Sequence, residues 1–307
     1  MERTKIEWVQ NTDGTPGHTW NPWWGCQRVS PGCEHCYAET LAHRYNYRVW
    51  GPAKTTGRRM MSENYWRQPL RWDKAAAAAG ERHRVFCASM ADVFEDHPDL
   101  TDPRRRLWEL ISVTPALDWL LLTKRPENVN DMLPALWTQS AHGVPPNIWI
   151  GTSVEDQHRA DERIPHLLRV PARVRFLSCE PLLGPVDLSG STVDGVWIDQ
   201  EYADLNNELG RVVEAEGWPI HWVIVGGESG HGARPMHPDW ARSLRDQCEA
   251  AGVSFFMKQM GGVRDKGGDL NDLPADLRVR QFPGQEDETE PEWYNADDDN
   301  TERSIGW

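Results

Sequence analysis

The sequence contains no run of eighteen apolar residues and no basic-then-apolar leader, so it offers neither a membrane span nor a secretion signal. It also lacks the Gly-x4-Gly-Lys-Ser/Thr phosphate loop, the His-Glu-x2-His helix and the Gly-x-Ser-x-Gly elbow. Those absences remove the phosphate-loop, zinc-protease and α/β-hydrolase templates. Cysteine is scarce, six in 307 residues. Cys87, Cys179 and Cys248 are scattered through apolar segments, which suits a reducing cytoplasm rather than a disulfide framework.

Positive charge is also short, with a formal net charge of −14. The deficit is uneven. From Asp265 onward there are 13 acidic and 4 basic residues, so the first 264 carry a net of only −5. Basic residues cluster at Arg58-Arg59, Arg67 to Lys74, Arg104-Arg105-Arg106 and Lys124-Arg125. The global charge therefore neither excludes nor predicts a polyanionic partner.

What is present is a rhythm of short apolar runs alternating with amphipathic stretches, the signature of βαβ units. Strands are expected at Val85–Ala88, Trp119–Leu122, Ile148–Gly151, Val174–Ser178, Trp222–Val225 and Ser254–Met257. Helices are expected near Tyr37–Tyr45, Pro103–Val113, Asn128–Leu136, Ala160–Leu168 and Pro238–Ala251. Asp102-Pro103 and Pro238-Asp239 read as helix starts, Gly252 as a helix stop, and Ala75–Ala79 as a short linker. Six or seven such units predict an α/β fold, a full or partial (β/α) barrel of parallel strands over residues 1–262. A doubly wound open sheet is the alternative. Residues 263–307 read as an acidic C-terminal extension, largely solvated, with Trp293, Tyr294 and Trp307 available to dock it.

Polar residues follow nearly every strand: Ser89 and Asp92; Thr123, Lys124 and Arg125; Thr152, Ser153, Glu155 and Asp156; Ser178 and Glu180; Gly226, Gly227, Glu228 and Ser229; Lys258 and Gln259. In a parallel barrel these meet at the carboxyl mouth, where active sites are built. Thr152, Asp156 and Ser229 read equally well as helix caps. Glu180 and Glu228 follow almost wholly apolar runs, where a carboxylate needs a partner. Lys124-Arg125 suits an anion or carboxylate, and Gly226-Gly227 suits a close backbone approach to a ligand.

The most informative feature is Cys26, Cys33 and Cys36, a Cys-x6-Cys-x2-Cys loop with no fourth cysteine nearby. Two metal readings stay open. Structural zinc needs a fourth ligand, from His35 or a distant histidine. An iron–sulfur cubane needs only these thiolates and leaves one iron open, with Trp20, Trp23, Trp24 and Tyr37 as its aromatic shield.

A three-cysteine loop ending Cys-x2-Cys-aromatic before the first helix of a barrel resembles the radical S-adenosylmethionine (SAM) enzymes, whose usual first gap is three residues. Six stretches, Trp-Asn-Pro-Trp-Trp-Gly-Cys, Ser-Met-Ala-Asp-Val-Phe, Leu-Thr-Lys-Arg-Pro, Gly-Thr-Ser-Val-Glu, Leu-Ser-Cys-Glu-Pro-Leu-Leu-Gly-Pro and Val-Gly-Gly-Glu-Ser, more closely resemble an uncharacterised phage-associated three-cysteine family. That family is distantly similar to the radical SAM enzymes, on the side of the spore photoproduct lyases. The resemblance implies a 4Fe–4S cluster on Cys26, Cys33 and Cys36, with SAM on the open iron and a 5′-deoxyadenosyl radical as the reactive product. Ser89 or Asp92 would take the SAM amino group and Lys124 or Arg125 its carboxylate. Ser153, Glu155, Gly226 and Gly227 would line the cofactor, with Glu180, Glu228 and Lys258 catalytic. It further implies a flavodoxin- or ferredoxin-like electron donor and a nucleobase or nucleic acid among the candidate substrates, with no membrane partner. A non-catalytic zinc or iron–sulfur module that recognises a partner protein is the rival, its 17 tryptophans then serving as interface anchors.

Overall fold

A computed structural model of the chain describes residues 3–138, 144–188, 220–263 and 266–284. Its centre is a seven-stranded parallel sheet in the order β1-β4-β5-β6-β7-β8-β9. The strands are β1 (His18–Thr19), β4 (His83–Cys87), β5 (Leu117–Thr123), β6 (Ile148–Ser153), β7 (Val174–Cys179), β8 (Trp222–Gly226) and β9 (Ser254–Gln259). A separate two-stranded ribbon pairs β2 (Trp23–Trp24) with β3 (Arg59–Met60).

From β4 to β9 the spatial order follows the chain order, so the winding never reverses and the doubly wound alternative fails. The sheet instead curls into a half-barrel. Five of the six expected strands run one or two residues past their expected carboxyl ends, where residues such as Thr123 and Ser153 still pair, Thr123 with Thr152 and Ser153 with Ser178, whereas β4 stops at Cys87. Strands β1, β2 and β3, two residues each, are too short to show a period.

Alternate residues of each strand serve two cores. The outward set, including Val85, Trp119, Leu121, Ile150, Leu177 and Val223, packs beneath the covering helices. The inward set, Phe86, Leu120, Trp149, Phe176, Trp222 and Phe256, forms an aromatic plug with Trp8 from the N-terminal segment. Gly151 belongs to this inner layer, and a Cβ there would run into the Phe176 ring.

Helices cover the outside at Gln68–Ala79, Thr101–Ser112, Gln157–Leu167 and Pro238–Ala250. The Ala75–Ala79 run is helix, not linker: alanine is the best helix former, and Gly80 closes the turn. The helix expected to start at Pro103 begins at Thr101, continuing the 3-10 turn Pro98–Leu100. The helix expected over Asn128–Leu136 is two short pieces, Val129–Met132 and Ala135–Thr138. Pro134 between them supplies no N–H to bridge the gap. Asp156 caps its helix by accepting from Arg159 N at 2.9 Å, and Gly252 ends the last one at φ +66°.

Beyond the expected boundary at 262, residues 266–284 run back along the barrel. Met257 N donates to Val279 O and Gln281 N to Phe255 O, while Leu273, Leu277 and Phe282 are buried. The most acidic part of the extension, 285–307, lies outside the described residues, as do Trp293, Tyr294 and Trp307. Among the described residues no helix is long and apolar enough to cross a membrane.

Gly151→Ala should be destabilising by about 1–3 kcal/mol, the usual range for overpacking a filled core. Urea unfolding followed by tryptophan fluorescence would measure it, with the midpoint falling and the slope unchanged.

Candidate metal centre and cavity

The cysteine loop is built between the ribbon and the first long helix. Gly25 sits at φ +121°, and a Cβ there would meet Val49 O and Arg58. Only glycine allows the chain to leave β2 at that angle. The backbone is held by Gly25 N donating to Met90 O and Gly51 N to Cys26 O, both at 3.0 Å. A 3-10 turn, Pro31–Cys33, follows, and Cys36 sits at the N-cap of helix Tyr37–Arg44.

Three charged strand-end groups then clamp this loop. Arg125, after β5, donates to Gln27 O at 2.7 Å and to Cys26 Sγ at 3.7 Å. Glu155, after β6, is fully buried; it accepts from Ser30 Oγ at 2.5 Å and from Arg163 at 2.7 Å. A Cβ on Gly32 would strike the Glu155 carboxylate, so the loop lies directly on it. Glu228, after β8, accepts from His35 Nδ1 at 2.9 Å and from Arg234. Arg234 in turn reaches Pro31 O and Glu34.

All three thiols face one cavity of about 460 Å³ at the carboxyl mouth of the strands, where its lining also includes Trp8, Phe86 and Leu122. That volume falls within the roughly 300–1,000 Å³ of small-molecule sites. None of the three is in a disulfide. Burial pushes the Cys26 thiol up to about 12, with Asp92 adding to it and Arg125 opposing. Burial also raises Cys36, against the amides of Glu39 and Ala38. Metal binding by such thiols requires proton release.

Among the described residues no group of three or more His, Cys, Asp or Glu side chains is gathered closely enough to hold one metal ion. His35, the nearest candidate for a zinc ligand, is turned to Glu228.

The other expected site residues divide by what they touch. Ser89, Asp92, Lys124, Arg125, Ser153, Glu180, Gly227, Glu228 and Lys258 line the cavity; Glu155 and Gly226 do not. Asp92 accepts from Phe94 N, Thr123 Oγ1, Lys124 N and Arg125 Nη1. Those four bonds fill its lone pairs, so it is committed to holding Arg125 and not free for an amino group. Glu228 accepts from His35 Nδ1 and from Arg234 N, Nε and Nη2, which makes it a loop clamp.

Gly226 and Gly227 do permit a close approach, but to the protein itself: a Cβ would lie 2.7 Å from Glu180 Oε1 and against Met260 O respectively. Glu180 and Lys258 form a pair at 2.6 Å, both only partly exposed. Lys124 Nζ donates to Ser153 Oγ at 2.8 Å.

A family model matches residues 3–294, spanning the cysteine loop, every strand and the returning segment. The chain belongs to the DUF5131 family, described as proteins of unknown function. A comparison with curated proteins found no match. The match covers both the loop and its clamps.

Sequence reasoning missed Arg163, Arg234 and the Trp8–Phe86 floor. Arg163 left one trace, a cation on the apolar face of its helix beside Ala160, Ile164 and Leu167. Arg234 left none.

Glu155→Ala should strand buried Arg163 and cost about 3–5 kcal/mol; chemical denaturation measures it, and alkylation of Cys33 in the folded protein should speed up. A second expectation concerns acid. Burial alone would raise Glu228, but Arg234 and His35 hold its carboxyl down at about 2. Its contribution to stability is then complete above the ordinary carboxylate range near 4.5 and is lost as pH falls from there through about 2. Glu228→Gln should flatten that limb of stability against pH.

Proposed function

We propose that the chain is an iron–sulfur enzyme of the radical SAM type, with Cys26, Cys33 and Cys36 as the thiolate ligands of a 4Fe–4S cluster. The observation that carries this reading is that three free cysteines of one loop, Cys26, Cys33 and Cys36, line one cavity. A mononuclear zinc site calls for four ligands drawn in around one ion; a cubane accepts three and keeps a position open. When bound, the cluster and SAM supply reductive cleavage of the sulfonium and hydrogen abstraction from a substrate.

The protein's own part is binding, orientation and exclusion of water. Lys124 spends one N–H on Ser153 and stands 3.9 Å from Glu155 Oε1, and the N–H left over suits a carboxylate such as that of SAM. Ser89 stands at the same wall, tied to Asn21 at 3.2 Å, and is left as the candidate for the SAM amino group. Across the cavity, the Glu180–Lys258 pair presents one acceptor and one donor to a substrate. Trp8, Phe86 and Leu122 give the cavity an apolar floor that favours a planar, weakly hydrated group over water. Arg125, Glu155 and Glu228 act as positioning residues through the loop they clamp.

The same reading carries a flavodoxin- or ferredoxin-like reductant and a substrate containing a nucleobase. The buried free thiols Cys87, Cys179 and Cys248 support a reducing compartment, the cytoplasm.

Anaerobic reconstitution should give iron and sulfide near four each per chain, with a brown colour lost in Cys33→Ala. The loaded protein with SAM and dithionite should release 5′-deoxyadenosine. A colourless protein carrying one zinc, and no 5′-deoxyadenosine, would end this reading in favour of a binding module.

A further inference from the structure

Residues 40–62 contain five arginines and lysines and no acidic residue, in a chain whose net charge is −14. Arg58 is internal: its guanidinium makes two 2.8 Å bonds to buried Glu95 and caps backbone carbonyls. The other four, Arg44, Arg48, Lys54 and Arg59, have no carboxylate partner among the described residues. Of the neighbouring acids, Glu39 is paired with Arg28 at 2.7 Å and Glu34 with Arg234 at 2.9 Å, while Asp99 accepts from Arg58 N at 3.1 Å. The result is a local surplus of unpaired positive charge.

Aromatic rings lie within this patch. The β2–β3 ribbon sets Trp24 directly across from Arg59. Arg59 lies over the Tyr47 ring at 4.2 Å, and Trp24 packs edge-on to Tyr47 and at 6.2 Å from Tyr45. Tyr45 is 61% exposed, and Tyr37, at the other end of the same helix, is 57% exposed. Eight residues of helix separate them by about 12 Å. Tyr37 lines the cavity. Cys36 and Trp50, also on the cavity wall, pack in the same small core as Trp24 and Tyr47. An unpaired basic surface studded with rings therefore runs up to the mouth.

We infer that this surface binds single-stranded nucleic acid, with the four cations on phosphates and exposed tyrosines stacking bases near the cavity. Phosphate contacts supply affinity, and aromatic faces accept any base. An acidic protein would answer the charge as well; a nucleic acid is favoured because every nucleotide offers a phosphate and a flat base together, matching cations and exposed rings side by side. The inference deepens the proposed function by naming the form of its substrate, and so rests on that reading for its catalytic meaning. Binding itself needs no cluster.

The test is fluorescence anisotropy of the full chain with a labelled single strand of about 20 nucleotides, longer than the roughly 4–16 that one such site spans. The matching duplex and apo-flavodoxin serve as alternative ligands. Saturable binding should weaken with salt, with a log–log slope of about −2 to −3 for three or four phosphate contacts to a single strand. The triple variant Arg44→Glu, Arg48→Glu, Lys54→Glu should lose at least about tenfold. Tyr45→Ala should lose roughly tenfold on the single strand. A control with Arg105→Glu and Arg169→Glu, both exposed and distant in sequence, should change it less than about twofold.

Thermal melts of each variant would verify folding. Absence of binding at low salt, equal affinity for duplex with Tyr45→Ala silent, or equal damage from the control would each overturn the inference. So would flavodoxin binding, sensitive to the same triple variant, in place of the oligonucleotide. Iron content and 5′-deoxyadenosine report on the metal centre and anisotropy on this surface, so either can fail alone.

Discussion

The fully buried carboxylate of Glu155 is the constraint on which the cavity depends. It pairs with Arg163 from the helix that follows β6, accepts from Ser30 in the cysteine loop, and carries Gly32 directly on its oxygens. A carboxylate taken wholly out of water is tolerable only when its lone pairs are answered by close, well-placed donors. The loop therefore completes the barrel's electrostatics as much as the barrel positions the loop. Burial raises the Glu155 carboxyl, and Lys124, Arg163 and Ser30 together bring it below its ordinary range.

Two further clamps repeat the device. Asp92 orients Arg125, which grips Gln27 and Cys26; Glu228 orients Arg234, which grips Pro31 and Glu34. Each pairs a charge at a strand end with a guanidinium that reaches the loop backbone. Three cysteines of one loop are thereby held on the wall of one cavity, whose lining also includes the Glu180–Lys258 pair. Preorganisation of this kind matters for a metal centre, since ligand geometry and surrounding hydrogen bonds tune the bound group.

The aromatic plug sets the floor of the same cavity. Trp8 from the N-terminal segment and Phe86 from β4 meet edge to face at 4.8 Å between ring centres, within the inner cluster that also holds Phe176 and Trp222. The returning segment 266–284 closes the flank at β9. The chain thus keeps an aromatic interior beneath the cavity.

Most of the scaffold was legible from the chain alone. Apolar runs of four or more located six strands, because a strand buried on both faces must be continuously apolar. The three cysteines were legible as a donor set because their spacing puts them on one loop. Two-residue strands escaped, since no period exists over two residues, and Ala75–Ala79 was mistaken for a linker because composition alone cannot distinguish a helix end from a spacer. Most of the polar residues after the strands line one cavity, though Thr152, Glu155, Asp156 and Gly226 do not, and their division of labour was not legible. Asp92, Glu155 and Glu228 look like ligand-binding carboxylates in sequence. Their partners Arg125, Arg163 and Arg234 turn them into clamps. The sequence by itself determined a parallel α/β scaffold, a three-thiol loop and a polar strand-end rim, because periodicity and spacing are local properties. Only the tertiary structure decided which charges are spent on each other and which face the cavity, because a carboxylate's role depends on donors brought to it from up to about 200 residues away, as His35 is to Glu228.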